Sequence, residues 1–394
     1  MSTLKVGAIR GVSASSDAVT VADNGTCTAN VTNNLSNRNK VGNGEMLCAQ
    51  RGTSFSPNAS AQIYTLDRFQ HIATTGAAFD STVTQDSSAP AGFSKSYKVT
   101  PDATDTPSGG GNACIRTKIE GQDVQDLAYG GSDAKKVTVS FYAKSASQNN
   151  SQQYTFQLRH FATDGTQRSI NAPFTITSSF QRFTFSFVGD TAVDIIKTNA
   201  LGMELVWQLA SGPDDITSQQ TTWVTTNLFT CVTGQSNFLD STSNEFYLTG
   251  VQLEVDHTGS GVATDFEHRS YGQELDLCKR YFQQYGIDSY GNNTKRLSLP
   301  FINEHASNTG GYINFRFEKE MRAAPTATIG SSLELGQPQV DRSSYVVSSF
   351  NNLHAQGSDY FQFSGGQLGS EGDSNRYIRF GHDATAFAKF SAEF

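Results

Sequence analysis

Strict alternation of apolar and polar residues in four separated runs is the feature that most narrows what this chain can fold into. Val137-Thr-Val139-Ser-Phe141, Tyr154-Thr-Phe156-Gln-Leu158, Phe183-Thr-Phe185-Ser-Phe187 and Met203-Glu-Leu205-Val-Trp207-Gln-Leu209 each place an apolar side chain at every second position. A strand with one buried face has that period and a helix does not. Turn clusters over 162–166 and 211–215 separate the runs, and no helical pattern lies between them. This spacing predicts an all-β fold, an antiparallel β-sandwich of jelly-roll type over residues 45–268. Composition agrees: 27 Phe stand against 4 Met and 2 Trp, and aromatic residues suit pleated, half-buried surfaces. Trp207 is in phase with Met203, Leu205 and Leu209, which assigns it to the core.

The stretch from Phe246 to Gly286 marks where that body ends. Phe246 and Leu248 alternate in one phase and Val251, Leu253 and Val255 in the other, with Thr249-Gly250 at the change. A one-residue slip at a glycine predicts a β-bulge. Beyond it Ser270 is placed to cap a helix, with Glu274 near its positive end. Leu275, Cys278, Tyr281, Phe282 and Tyr285 recur at three- and four-residue steps, and Gly286 follows as a stop. The spacing predicts one short amphipathic helix at a junction over residues 269–286.

Two further segments carry a resemblance. Gln50-Arg51-Gly52-Thr53-Ser54-Phe55 with Tyr64-Thr65-Leu66-Asp67-Arg68-Phe69, and the boundary DFEHRSYGQELDLCKRYF from Asp265, together resemble tail-fibre and adhesin proteins of bacteriophages, particularly those of marine bacteria. Met321-Arg322-Ala323-Ala324-Pro325-Thr326 fits the terminal module of the same family. Relatives carry Trp before the QRG and after the DR, where this chain has Ala49 and Phe69, so a shared aromatic platform does not carry over at those positions. The resemblance implies a carbohydrate-binding-like jelly roll, a homotrimer and a virion location. Jelly rolls of this kind often hold a structural calcium on loop oxygens, for which Asp214 and Asp215 are the candidates; no other cofactor is expected.

A formal net charge of −8 argues against nucleic acid and anionic membranes as partners, since both select basic patches. No apolar run reaches the ~18 residues of a membrane span, and the first residues lack the continuous apolar region of a signal peptide. Cys27, Cys48, Cys114, Cys231 and Cys278 are odd in number and widely spaced, which predicts buried free thiols rather than a disulfide framework or a zinc site. HExxH, GxSxG, P-loop, Rossmann and EF-hand patterns are absent. The expectation is a binding protein, not an enzyme. His268, with Glu267 and Arg269, is expected in a polar junction.

Residues 1–44 are short strands followed by an Asn- and Gly-rich run, and are expected to attach the chain to other virion proteins. Residues 287–394 are expected to form a smaller C-terminal β module, with strands over 313–317 and 388–394. Glycan binding needs aromatic faces with polar neighbours. The candidates are Trp223 in the sandwich and Tyr345, His354, Tyr360, Tyr377, Arg379 and His382 in the terminal module, on or near loops. The helical stripe needs a cover, and a threefold axis supplies one through Leu275, Cys278, Tyr281 and Phe282; the competing cover is the chain's own sandwich. The leading expectation is a phage tail-fibre protein that attaches to a host surface glycan or protein receptor by multivalent binding. The alternatives are a head-decorating or capsid-associated fibre and a polysaccharide-degrading tailspike.

Overall fold

The computed structural model describes residues 6–13, 18–21, 23, 27–29, 37–256, 259–285, 299–302, 312–329, 333–336, 346–347, 352–356, 360–364, 377–380 and 388–394. The four alternating runs are strands of a two-sheet sandwich. Its strands are β1 (Ser54–Phe55), β2 (Gln62–Tyr64), β3 (Phe69–Ala73), β4 (Ser81–Asp86), β5 (Ser96–Pro101), β6 (Asn112–Glu120) and β7 (Val137–Ser145). They continue as β8 (Gln153–Phe161), β9 (Gln167–Thr175), β10 (Gln181–Phe187), β11 (Leu201–Ser211), β12 (Val224–Thr225) and β13 (Phe246–Val255). One sheet has the order β10-β7-β13-β5-β4-β1 and the other β12-β9-β8-β11-β6-β3-β2. Every pairing within these two sheets is antiparallel.

The in-phase residues meet between the layers. Trp207 is fully buried, with its ring 5.5 Å from those of Phe141 and Phe156 and 6.2 Å from Phe69. Phe69, at the position where relatives carry Trp, is therefore core and not platform. The bulge falls where the phase slip predicts it. Ser140 pairs with Gln252 and Tyr142 with Thr249, so two residues, Gly250 and Val251, stand opposite Phe141 alone. Gly250 supplies the left-handed conformation at φ +61°.

The sandwich begins earlier than residue 45. Lys40 donates its backbone N–H to Leu253 O at 2.9 Å, Val251 donates to Gly44 O at 3.0 Å, and Val41 and Asn43 are fully buried. Residues 37–44 thus lie along β13 at its bulge, and a run expected in an attachment segment is part of the body. The polar residues of the boundary hold it there. Glu267 accepts from the backbone of Asn37 and Asn39, and Arg269 donates to the carbonyls of Asn39 and Val41. Further upstream, Ala8–Ile9, Val19–Val21 and Cys27–Ala29 form a three-stranded sheet of their own.

The junction corrects the predicted helix. Ser270 does cap α1 (Tyr271–Lys279), in a capping box with Gln273, but the helix stops at Lys279. Phe282–Tyr285 is a strand, β14, which pairs with β16 (Ala388–Ser391); β16 pairs on its other edge with β15 (Thr326–Ile329). Apolar residues over 275–285 fit a helical stripe, yet a short run is ambiguous in period, and main-chain pairing with β16 decides it. The remaining strands, 299–302, 312–316, 333–336, 346–347, 352–356, 360–364 and 377–380, form the second sheet of the smaller C-terminal β module. The expected strands over 313–317 and 388–394 are thus present as Tyr312–Arg316 and β16.

The stripe assigned to a threefold axis is covered within one chain. Cys278 is fully buried, the Arg68 guanidinium lies 3.3 Å from the Tyr281 ring centre, and Arg51 lies 3.9 Å from that of Phe282. Leu275 is half-buried. The cover over Cys278, Tyr281 and Phe282 is this chain's own body, so these three are not free for an axis, while Leu275 stays partly open. Cys48, Cys114, Cys231 and Cys278 are free and buried, and burial pushes the Cys114 thiol up to about 12.

Candidate functional site

The two sheets differ in what covers their outer faces. On the seven-stranded sheet the outward residues Arg116, Arg159 and Glu204 form a buried ion-pair row, with Glu204 accepting at 3.1 and 2.6 Å. Residues 218–236 close over that row. Phe229 packs on Ile72, Cys114 and Val206, Thr230 Oγ1 accepts from Gln157 at 2.8 Å, and Gln220 N–H donates to Asn171 Oδ1 at 2.8 Å. With Gln157, Asn171 and Glu204 paired beneath it, this segment covers that face.

The six-stranded sheet carries aromatic rings instead. After β13 the chain folds back along the same strand, where Thr264 donates to Glu254 and Glu267 N–H donates to Gln252 Oε1 at 2.8 Å. That return brings Phe266 and His268 beside Phe93, from the β4–β5 link, and Tyr142, which points outward from β7. Phe93 is the hub, its ring centre 5.3 Å from Tyr142, 5.1 Å from Phe266 and 5.1 Å from His268. Phe93, Tyr142 and Phe266 are half-buried and His268 is exposed. His268 Nδ1 lies 2.9 Å from Glu45 Oε2, and Arg182 donates to Ser140 Oγ at 3.0 Å and to Thr264 O.

The rings sit directly over the bulge. A Cβ on Gly250 would come within 2.8 Å of Tyr142 Cδ2 and 2.9 Å of Phe93 Cζ. Two residues along β7 from Tyr142, the Lys144 ammonium lies 4.3 Å from the Tyr247 ring centre, with Lys98 at 5.3 Å and Phe180 edge-on at 6.2 Å. Glu245 accepts from Lys98 at 2.7 Å and from Tyr247 Oη at 2.9 Å. Burial works against its charge, but these two bonds hold its carboxyl below the usual range. The whole patch offers half-open ring faces flanked by Lys, Arg, Glu and His. Such a surface can stack on an apolar face and fix hydroxyls around it.

Several sequence candidates lie elsewhere. Trp223 is closed off: it is 7% exposed, its Nε1 donates to Val188 O at 2.7 Å, and its ring meets those of His160 and Tyr129 edge-on. His354, Tyr360, Tyr377 and Arg379 are strand residues rather than loop residues, with His354 opposite Gln362, Tyr360 opposite Arg316, and Tyr377 and Arg379 together on 377–380. Tyr345 and His382 lie outside the described residues. Asp214 and Asp215 lie in the turn Pro213–Asp215, where Asp215 accepts from Asn112 Nδ2 at 2.6 Å. Among the described residues no group of three or more His, Cys, Asp or Glu is arranged to hold a metal, and no helix is long and apolar enough to cross a membrane.

The QRG and DR motif residues of the resemblance meet at the junction, whereas Phe266 and His268 of the boundary segment lie on this surface. Asp67 accepts from Gln50 N–H at 2.6 Å and from Arg51 at 3.2 Å, while Arg51 and Arg68 share Glu393. Their work is to lock the sandwich to the end of the C-terminal module.

Solved structures similar to this chain include a phage protein and carbohydrate-binding modules. The enzymatically active domain of tailspike protein 4 of bacteriophage CBA120 matches at 14% identity over 56% of this chain and 22% of its own length, with a TM-score of 0.29. The family 11 carbohydrate-binding module of a Clostridium thermocellum cellulosomal cellulase matches at 11% identity over 51% of this chain and 94% of the module, at 0.27. The xylan-binding domain from Paenibacillus barcinonensis matches at 9% identity over 51% and 92%, also at 0.27. Likenesses this slight carry no argument about activity. The chain spans about a fifth of the tailspike domain's length. No family model and no curated protein matches the sequence.

Proposed function

We propose that this chain is the adhesion module of a bacteriophage tail fibre, a binding protein rather than an enzyme, which holds host-surface glycan against the outer face of its six-stranded sheet. The observation that carries this reading is the set of half-open rings of Phe93, Tyr142, Phe266 and His268 over Gly250, beside Arg182 and Lys144. Aromatic faces supply stacking area and the charged rim supplies partners for hydroxyls. The motifs around Gln50, Asp67 and Phe266 add the phage resemblance.

The test begins with a glycan array on the intact protein, followed by the strongest glycan measured on Phe93→Ala/Tyr142→Ala. Both rings are half-buried, so the variant keeps the core and is expected to fold. Its affinity should fall at least about tenfold, the scale of losing two stacking contacts. Unchanged affinity in the folded variant removes the platform reading, and shortened glycan chains after incubation would replace a binding protein with an enzyme.

Attachment to other virion proteins belongs to residues upstream of Asn37 in this reading. In its support, Val6, Ile9, Val12 and Val21, in and around the separate three-stranded sheet, are all exposed. Multivalency needs several copies, and a threefold assembly through that region is part of the proposal. Light scattering of the intact chain should give three times its 42.6 kDa; a mass of one chain counts against the trimer.

A further inference from the structure

At the junction Arg51 pairs with Asp67 and Glu393, Arg68 with Glu393, Arg269 with Glu274 and Arg280 with Glu120. Two cations beside the aromatic surface differ. Among the described residues neither Arg182 nor Lys144 has a carboxylate partner; their hydrogen bonds go to hydroxyls and a carbonyl. Arg182 stands opposite Tyr142 on β10, with its guanidinium 5.9 Å from the Tyr142 ring centre. Both of its bonds, to Ser140 Oγ and Thr264 O, are made through Nη2. Nε is buried without a hydrogen bond, whereas Nη1, also without one, is not buried.

Lys144 follows Tyr142 on the same face of β7, about 7 Å further along the strand. Its ammonium is bonded to Ser88 Oγ at 2.8 Å and lies over the rings of Tyr247 and Phe180. The carboxylates of this face are engaged elsewhere. Glu245, which feels the Lys144 charge, is bonded to Lys98 and Tyr247; Glu254 accepts from Thr264 and Gln252; Glu45 lies at His268. Two cations with unspent N–H donors therefore stand at the edge of a half-open ring. A guanidinium presents a planar fork that matches a carboxylate. A sugar stacked on Tyr142 directs its ring substituents sideways, so an acidic group on it reaches Arg182 Nη1 without leaving the aromatic face.

We propose that the aromatic surface selects acidic sugars: Arg182 meets the carboxylate of a uronic-acid-type residue stacked on Tyr142 and Phe93, and Lys144 adds positive potential along the same strand. The inference rests on the reading of that surface as a glycan site and deepens it by naming the class of sugar.

The probes are trisaccharides of D-glucuronate, D-galacturonate and D-mannuronate, each titrated calorimetrically into the intact protein beside its methyl ester at fixed ionic strength. The ester keeps the sugar and removes the charge. At least one acid should bind at least about tenfold tighter than its own ester. Arg182→Gln should abolish that margin and leave the ester's affinity within about twofold, whereas a purely structural loss would weaken acid and ester together. Lys144 has no bond to the returning chain; Lys144→Met should narrow the margin as well, and it decides the matter if Arg182→Gln does not fold. No acid tighter than its ester, or a full margin in both variants, overturns the proposal. A sulfated galactan oligosaccharide that binds tighter than every uronate overturns its carboxylate part. Failure here is separable from failure of the surface reading. Acids and esters that bind equally, and are both lost in Phe93→Ala/Tyr142→Ala, remove this inference and keep the platform. An acid whose affinity is unchanged in that double variant removes the platform, and this inference with it.

Discussion

Gly250→Val is expected to cost about 3 kcal/mol of folding stability and to disperse the aromatic surface at the same time. Two independent effects add. At φ +61° a β-branched side chain sits in a region that L-residues avoid. The new Cβ also enters the space of Tyr142 and Phe93, at 2.8 and 2.9 Å. Urea unfolding measures the sum, and a double-mutant cycle separates the parts. In a Phe93→Ala background the steric share should shrink while the backbone share persists. A Gly250→Val protein as stable as the parent would show that the bulge does not position those rings.

Glu120→Ala should be the most damaging single change at the junction, at about 3–5 kcal/mol. Glu120 is fully buried at the end of β6. It accepts both guanidinium bonds of Arg280, the hydroxyl of Tyr281 at 2.6 Å and Gln122 at 2.7 Å. Truncation leaves a buried hydroxyl and a half-buried cation with no acceptor, and it is the orphaned groups that set the cost. Glu120→Gln keeps an acceptor oxygen and should lose less. Equilibrium unfolding of the two variants checks the order; an alanine variant within about 1 kcal/mol of the parent would mean that water replaces the carboxylate.

What the sequence discloses follows from the range over which each signal acts. Alternation is local, so the strands, the core position of Trp207 and the bulge at Gly250 are all readable from it. The same alternation, taken in its other phase, marks Tyr142 beside Phe141 and Tyr247 beside Phe246 as aromatics on the outer face. That signal is present in the sequence, and the polar positions simply attract less notice. Phe93 and Phe266 lie on links without any period, and only the return of the chain along β13 makes them neighbours. The helix was legible at its capped start and not at its end, because β14 is defined by pairing with a strand about a hundred residues later. Residues 37–44 read as a polar tail for the same reason. Their partners, Glu267, Arg269 and β13, are more than 200 positions away.

The pairing of Arg51 and Arg68 with Glu393 joins positions 342 and 325 apart. Residue 393 must therefore be made and folded back before two cations at the start of the jelly roll acquire this anion. Until then Arg51 has Asp67 as its carboxylate partner, while Arg68 is left buried without the anion it pairs with in the folded chain. The ion pairs that close the sandwich thus make its buried charge depend on a segment more than 300 positions further along the chain.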